Sequence, residues 1–422
     1  MIAEIITIGD ELLIGQVVDT NSAWLAEQLN LIGIRVKQIS SLSDDREHIL
    51  TGLKEAASRA DLILITGGLG PTKDDITKHT LCEYFDTELI FHQATFENVQ
   101  ALFKLRGFPV TDLNRKQAEV PANCIPLSNS NGTAPGMWFE QDGCIYVSMP
   151  GVPFEMKTMV SNVVLPRLAK KYNSTFIIHK TILTQGVGES FLASTIESWE
   201  DQLPENLKLA YLPQPGIVRL RLTATGSDKL FVNKLLKLEQ AKLQKLIPDL
   251  IFGYDDETLE LVVGRLLKQK EKTLATAESC TGGYLAHLLT SIAGSSEYYK
   301  GSVIAYSNAV KVDLLGVSHQ AIESEGAVSE MVVRQMAEGV RKKMDTDYAL
   351  ATSGIAGPDG GSEEKPVGTT WIALATPEKV IAKKFLFGEH RGRNIRKASL
   401  AALNMLRMEL LEVPEKNAPA SH

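Results

Sequence analysis

Between positions 273 and 283 the chain reads TLATAESCTGG, which sets Ser279 and Cys280 between a short apolar run and a helical pattern. A strand over 273–277 and a helix over 282–291 would place a hydroxyl or a thiol beside backbone N–H groups that lack intrahelical partners. A negative transition state is stabilised at such a place. Ser and Thr before a helix are equally what a plain N-cap uses, so this stretch alone leaves both uses open. Two later stretches supply other parts of an acyl-transfer site. GSVIAY over 301–306 reads as a strand, Ser307-Asn308 breaks it, and 309–316 reads as a short helix, so Tyr306 and Lys311 flank one strand-to-helix turn. A lysine desolvated there can lose its proton and act as base toward a serine hydroxyl, with a tyrosine hydroxyl to relay or orient. TSGIAGPDGG over 352–361, then KPVGT over 365–369, brings glycines whose N–H groups can approach an anion closely. His287, His319 and His390 lie outside these stretches, so no Ser-His-Asp triad is supported.

The elements that must position these residues follow the same logic. Residues 255–269 open with an acidic turn and carry Leu259, Val262, Val263, Leu266 and Leu267 at helical spacing. Strands are expected over 348–352 and 370–375, and helices over 329–344 and 392–412. At the other end of the chain, 1–9, 35–41 and 61–66 read as strands and 21–31 and 44–58 as helices. That alternation predicts a parallel sheet with crossover helices, whose ligands sit beyond the carboxyl ends of the strands. Two loops fall at that edge: Gly9-Asp10-Glu11 and the run GGLGPTKDD over 67–75. The second lacks the GK[ST] ending of a P-loop. Its glycines suit a phosphate and Asp75 suits a hard divalent cation; a tight turn with an acidic helix cap uses the same residues. Between the two ends, strands over 175–183 and 217–224 and helices over 188–199 and 229–246 predict a small α+β domain.

AESCTGG, YSNAVKVDLLGV, TSGIAGPDGG and KPVGT, in that order, resemble the C-terminal domain of the competence/damage-inducible CinA family, also called the PncC family of nicotinamide-nucleotide amidases. The resemblance implies hydrolysis of nicotinamide mononucleotide to nicotinate mononucleotide and ammonia, with no cofactor. It implies Ser279, Tyr306 and Lys311 as the catalytic set, with Thr281, Gly282, Thr352, Ser353, Gly354, Gly357, Gly360, Gly361 and Thr369 around the substrate. It also selects Ser279 over Cys280, although a thiolate is intrinsically the better nucleophile. GDELLIGQVVDTN, TGGLGPTKDD, NGTAPG and MPGVP are similar to the molybdopterin-binding, MoCF-like domain that opens CinA proteins. That similarity implies a divalent-metal-dependent ADP-ribose pyrophosphatase releasing AMP and ribose 5-phosphate. Asp10, Asp74 and Asp75 are then the candidates for metal and water, and Gly67, Gly68, Gly70, Thr72, Asn131, Gly132 and Gly151 line the phosphates. A molybdopterin ligand is the older reading of the same fold, and fold does not fix function. The middle segment resembles the KH-like domain of CinA proteins but shows no GxxG loop of the RNA-binding kind.

The expected fold class is therefore α/β: a MoCF-like three-layer domain over 1–172, a KH-like α+β domain over 173–254, an α/β amidase domain over 255–415, and a disordered tail over 416–422. Of 422 residues, 44% are hydrophobic, enough for real cores. Lys and Arg number 44 against 51 Asp and Glu, a net charge of -7 without a long basic run, which argues against nucleic acid as principal partner. The four cysteines show no metal-ligand spacing, no signal peptide precedes the first strand, and no apolar run reaches membrane length. The expected setting is the cytoplasm, with reduced thiols and small-molecule nucleotides as ligands; a homodimer is implied by the resemblance. Two other readings stay open: an amidase for another substrate, and a non-catalytic nucleotide or pterin binder acting through partners in DNA uptake.

Overall fold

The computed structural model describes residues 1–72, 75–171 and 176–411. Asp74 and the tail expected over 416–422 lie outside the described residues. The chain divides into two compact units, residues 1–178 with 224–234, and residues 179–223 with those from 235 onward.

In the first unit, β1 (Ile2–Ile8), β2 (Arg35–Leu42) and β3 (Leu62–Thr66) form the parallel part of a six-stranded sheet. Successive side chains of a strand point to opposite faces, and β1 and β3 are apolar on both, whereas the edge strand β2 is largely polar and exposed. Ala3, Ile5, Leu62 and Leu64 enter one core with Leu25, Leu29, Met156 and Leu168 from the helices on that side. Ile6, Ile8, Ile63 and Ile65 enter the other with Ile49, Leu53 and Leu81. The result is three layers, as expected. The expected uniformly parallel sheet is corrected in its other half. Short β4 (Leu89–Phe91) and β5 (Glu119–Pro121) pair with each other outside it, and β6 (Ile125–Leu127), β7 (Gly136–Gln141) and β8 (Cys144–Met149) complete the order β2-β1-β3-β8-β7-β6. β8 is parallel to β3, but β7 and β6 run antiparallel. The cause is local: Gln141 pairs with Cys144 across Asp142-Gly143, both at positive φ, and Asp-Gly is the residue pair that closes a two-residue hairpin.

Lying mostly in the second unit, β9 (Phe176–Thr184), β10 (Leu207–Gln214), β11 (Ile217–Gly226) and β12 (Ile251–Tyr254) form a four-stranded sheet in the order β10-β11-β9-β12; the start of β9 and the end of β11 fall within the first unit's bounds. A five-stranded sheet follows, ordered β14-β13-β15-β16-β17 and built from β13 (Leu274–Glu278), β14 (Tyr299–Ile304), β15 (Tyr348–Gly354), β16 (Thr369–Ala375) and β17 (Val380–Leu386). Only β14, β13 and β15 are mutually parallel. Its two faces differ in bulk. Leu274, Leu350, Ile372 and Leu374 pack against the helices Leu259–Gln269 and Arg391–Leu410, while Ala275, Ala277, Ala349, Ala351, Ala373 and Ala375 admit the helix Glu330–Met344. The buried Arg407 of the last helix donates to the carbonyls of Ile251 at 3.1 Å and Asp249 at 2.7 Å, and burial lowers its pKa to about 10.

Candidate functional sites

The parallel trio β14-β13-β15 fixes the first site. Glu278, the last residue of β13, lies opposite Ile304 of β14 and Thr352 of β15. Ser279 therefore leaves the sheet at its carboxyl edge, and its N–H donates to Thr352 O at 2.9 Å. From the neighbouring strand end, the helix Asn308–Leu315 turns Lys311 back under the sheet. Lys311 is 1% exposed, and its Nζ donates to the carbonyls of Ala305 at 2.9 Å and Tyr306 at 3.4 Å. Among the described residues no ion pair includes it. Burial accordingly lowers its pKa, opposed by the nearby Cys280, as expected for an ammonium without a counter-charge. Cys280 is buried too, and burial pushes its thiol up to about 12. At neutral pH this cysteine is a protonated thiol, which removes the advantage of a thiolate.

Glu278 corrects one expectation. The helix after Ser279 spans Tyr284–Thr290, and its N-terminal amides are already occupied. The fully buried Glu278 carboxylate accepts from the N–H groups of Gly283 at 2.9 Å, Leu285 at 3.1 Å and Ala286 at 2.8 Å, and from Thr281 Oγ1 at 2.7 Å. A carboxylate bound this way holds the helix end and has no free edge to serve as a base. Thr281 and Thr352 share a hydroxyl contact of 2.7 Å in the interior, and Ser353 Oγ donates to Ala327 O at 2.7 Å. These three expected substrate residues thus hold the strand ends together. Gly282 is unconfined, and Gly357, at φ 90°, would bring a Cβ to 2.5 Å from Val367. Gly354 and Gly361 pack against Thr370 and Val367. Thr369 Oγ1 is buried without a partner, and Gly360 has left-handed φ.

Tyr306 stands on the open side, 63% exposed, with its hydroxyl accepting from Arg391 Nη2 at 3.2 Å. Arg391 Nη1 donates to Gly357 O at 2.9 Å, so one guanidinium joins Tyr306 to the glycine loop. The sequence reading missed Arg391, whose only signal was its place at the start of the last helix. The tyrosine hydroxyl is therefore held by an arginine, and no hydrogen bond among the described residues joins it to Ser279 or to the Lys311 amine.

The second site lies at the carboxyl ends of β1, β2, β3 and β8, where a parallel sheet binds its ligand. A cleft of about 470 Å³ opens there, and it includes Gly67, Gly68, Gly70, Gly151, Asp44 and Asp75 in its walls. Gly67, at φ 116°, would place a Cβ 2.0 Å from Ile8 O, so the close approach of β1 and β3 admits only glycine. Asp75 accepts from the N–H groups of Gly70 at 2.8 Å and Thr72 at 2.9 Å and from the Thr72 hydroxyl. Its carboxylate fills the position expected for a phosphate oxygen. Asn131 and Gly132 turn onto Asn129 instead, with N–H donations to its Oδ1 at 3.1 and 2.9 Å, while Thr133, Ala134 and Glu155 line the cleft. Asn21, also missed, ties Gly151 to β3 by donating to Gly151 O at 2.7 Å and Thr66 Oγ1 at 3.3 Å.

Asp44 is a further residue that sequence reading did not single out. Its Oδ2 accepts from the N–H of Asp10 at 3.1 Å, and its own N–H donates to Asp10 Oδ1 at 3.3 Å. Its pKa is raised by burial first and then by the charges of Asp10, Glu11 and Asp75. Crowded carboxylate oxygens of this kind suit a hard cation, although the described residues gather no group of three or more His, Cys, Asp or Glu able to hold a metal ion. No helix among them is long and apolar enough to cross a membrane.

Fold and sites define a protein of several α/β domains with one cleft beyond a Gly-rich loop and a second, separate site beside a buried lysine. Family models match in the same arrangement: a probable molybdopterin binding domain over residues 4–170, the damage-inducible protein CinA KH domain over 179–253, and the CinA C-terminal domain over 256–410. The chain is 50% identical over 414 residues to a CinA-like protein of Cytophaga hutchinsonii, covering 97% of this chain and 98% of that one. It is also 50% identical over 414 residues to a CinA-like protein of Flavobacterium psychrophilum, with 98% and 99% covered. The chain belongs to the CinA family. Among solved structures, the competence/damage inducible protein CihA from Agrobacterium tumefaciens is 36% identical, with 36% of this chain and 93% of that one covered at a TM-score of 0.35.

Proposed function

We propose that this chain is a bifunctional pyridine-nucleotide salvage hydrolase. The second unit hydrolyses nicotinamide mononucleotide to nicotinate mononucleotide and ammonia, and the first splits ADP-ribose to AMP and ribose 5-phosphate. The observation that carries the amidase reading is Lys311, an amine buried without a counter-charge among the described residues, one strand away from Ser279, itself only 9% exposed at the sheet's carboxyl edge. A neutral amine accepts the proton of Ser279 as its Oγ attacks the amide carbon, and the resulting ammonium returns that proton to the leaving ammonia. Water then hydrolyses the acyl-serine by the reverse proton path. Arg391 and Tyr306 orient the nucleotide from the open side.

For the first unit, a divalent cation would be held through oxygen by Asp10 and Asp44, and it would neutralise the diphosphate as the bond breaks. Asp75, bound to the loop amides, keeps the glycine loop in shape beside them. The reading takes the small-molecule nucleotides as ligands, the cytoplasm as setting and the homodimer as assembly. Incubating the purified chain with nicotinamide mononucleotide, and separately with ADP-ribose and a divalent cation, should yield ammonia in the first case and AMP in the second. Ammonia release from free nicotinamide at a rate equal to that from the mononucleotide would remove the nucleotide assignment.

A further inference from the structure

Two wall residues of the N-terminal cleft carry a buried side-chain oxygen without a partner, Asn21 Oδ1 and Gln117 Oε1; the Asn21 amide is already tied through Nδ2 to Thr66 and Gly151, whereas no hydrogen bond of the Gln117 side chain is present among the described residues. Gln117, just beyond the short helix Asp112–Lys116, is 3% exposed and lines the cleft, yet its Oε1 is buried without a hydrogen-bond partner. The bonds of this residue run through its backbone: its N–H donates to Asn114 O at 3.2 Å, and its carbonyl accepts from Lys78 Nζ at 3.4 Å. Lys78 is itself buried, so the backbone of Gln117 is held from behind while the amide is left over. A buried polar group without a partner is costly, and it persists where something outside the chain completes it.

The chemistry of that partner follows from the amide. It is neutral, so it does nothing for a phosphate, which the glycine and carboxylate end of the cleft addresses. It offers one acceptor and one donor side by side in a plane, and a half-turn about its last bond exchanges them. The matching edge is that of a purine base, which amide side chains read bidentately. A cleft of about 470 Å³ also lies in the range that takes a nucleotide-sized ligand. We propose that Gln117 is the specificity-determining residue of this cleft, pairing edge-on with the purine of a nucleoside diphosphate whose phosphates lie toward the glycine loop. This inference rests on the nucleotide reading of the first unit.

The test uses the full-length chain with a divalent cation present. Calorimetric binding of ADP, ribose 5-phosphate and inorganic pyrophosphate is compared between the wild type and Gln117→Leu, with thermal unfolding of both in the absence of ligand. Gln117→Leu should weaken ADP about 10- to 100-fold, the range of one bidentate base contact. It should leave pyrophosphate and ribose 5-phosphate unchanged and leave the melting temperature equal or higher, because no hydrogen bond of the side chain among the described residues is lost. Unchanged ADP binding would overturn the inference, as would equal weakening of pyrophosphate, weakening of ribose 5-phosphate, or a lowered melting temperature. Failure of the wild type to bind ADP at all would instead overturn the nucleotide reading on which it rests. Should Gln117→Leu not fold, Gln117→Met, unbranched and of similar length, carries the same comparison.

Discussion

The two sites treat buried charge in opposite ways. Beside Ser279, charge is segregated: Glu278 has its carboxylate fully bonded to a helix end, and Lys311 is left alone among carbonyls. Beyond β1 and β2, charge is crowded: Asp44 lies near Asp10, Glu11 and Asp75, and its pKa rises for that reason as well as from burial. An isolated amine favours its neutral form and so becomes a base. Crowded carboxylates favour a bound cation. Under the proposed function, the same fold class would serve proton transfer in one unit and metal-assisted chemistry in the other, by the choice of which charge is left uncompensated.

The largest expected effect separates the two units. Ser279→Ala should lower ammonia release from nicotinamide mononucleotide at least ~100-fold and leave AMP release from ADP-ribose unchanged, while Cys280→Ala keeps most of both. Assaying both products from each variant decides it, and a common loss would mean that the sites are coupled. Next comes stability. Arg59 donates to the fully buried Glu4 through Nε at 2.7 Å and Nη2 at 2.8 Å. Arg59→Met leaves that carboxylate unpaired and should cost roughly 3–5 kcal/mol in urea unfolding, confined to the first unit, so ammonia release persists where AMP release has gone.

Asp44→Asn removes one of the two carboxylates assigned to the cation and should lower metal-dependent AMP release by at least roughly 10–100-fold, the range already seen for groups that merely orient metal ligands. Titrating the cation should recover part of the loss; full activity at the ordinary cation level would take Asp44 out of the site. The smallest effect is a slope. Burial lowers the pKa of Lys311, so between that lowered value and the ordinary ~10.4 the unfolded chain binds more protons than the folded one. Wild-type stability should therefore rise with pH across this window, by at most ~1.4 kcal/mol per unit, and level off above it. In Lys311→Met that rise should be missing from denaturant midpoints.

Much of this contrast was legible in the sequence. β1, β3 and β13 showed as apolar runs, and the turns after them carry the motifs, because a strand buried on both faces and a Gly-rich turn leave strong local marks. The antiparallel halves of both large sheets were not legible as such, although Asp142-Gly143 was a turn signal that went unused. Asp44, Asn21 and Arg391 were missed for a different reason: each acts on a partner far along the chain, and nothing in its immediate neighbours marks it. Gln117 was missed because its significance is a buried side-chain oxygen left without a partner, which no sequence pattern shows. Glu278 shows the limit most clearly. A glutamate beside a serine reads as a possible base, and only its bonds to three helix amides show that it is a cap.

The most direct test of the central claim is ammonia release by Lys311→Arg, with binding of nicotinamide mononucleotide measured on the same preparation. Arginine keeps the positive charge but does not deprotonate usefully, so the mononucleotide should still bind while turnover falls by about 10²- to 10⁴-fold, the usual contribution of a general base. Substantial turnover in Lys311→Arg would contradict the account, because the lysine would then be a fixed charge and not the base for Ser279.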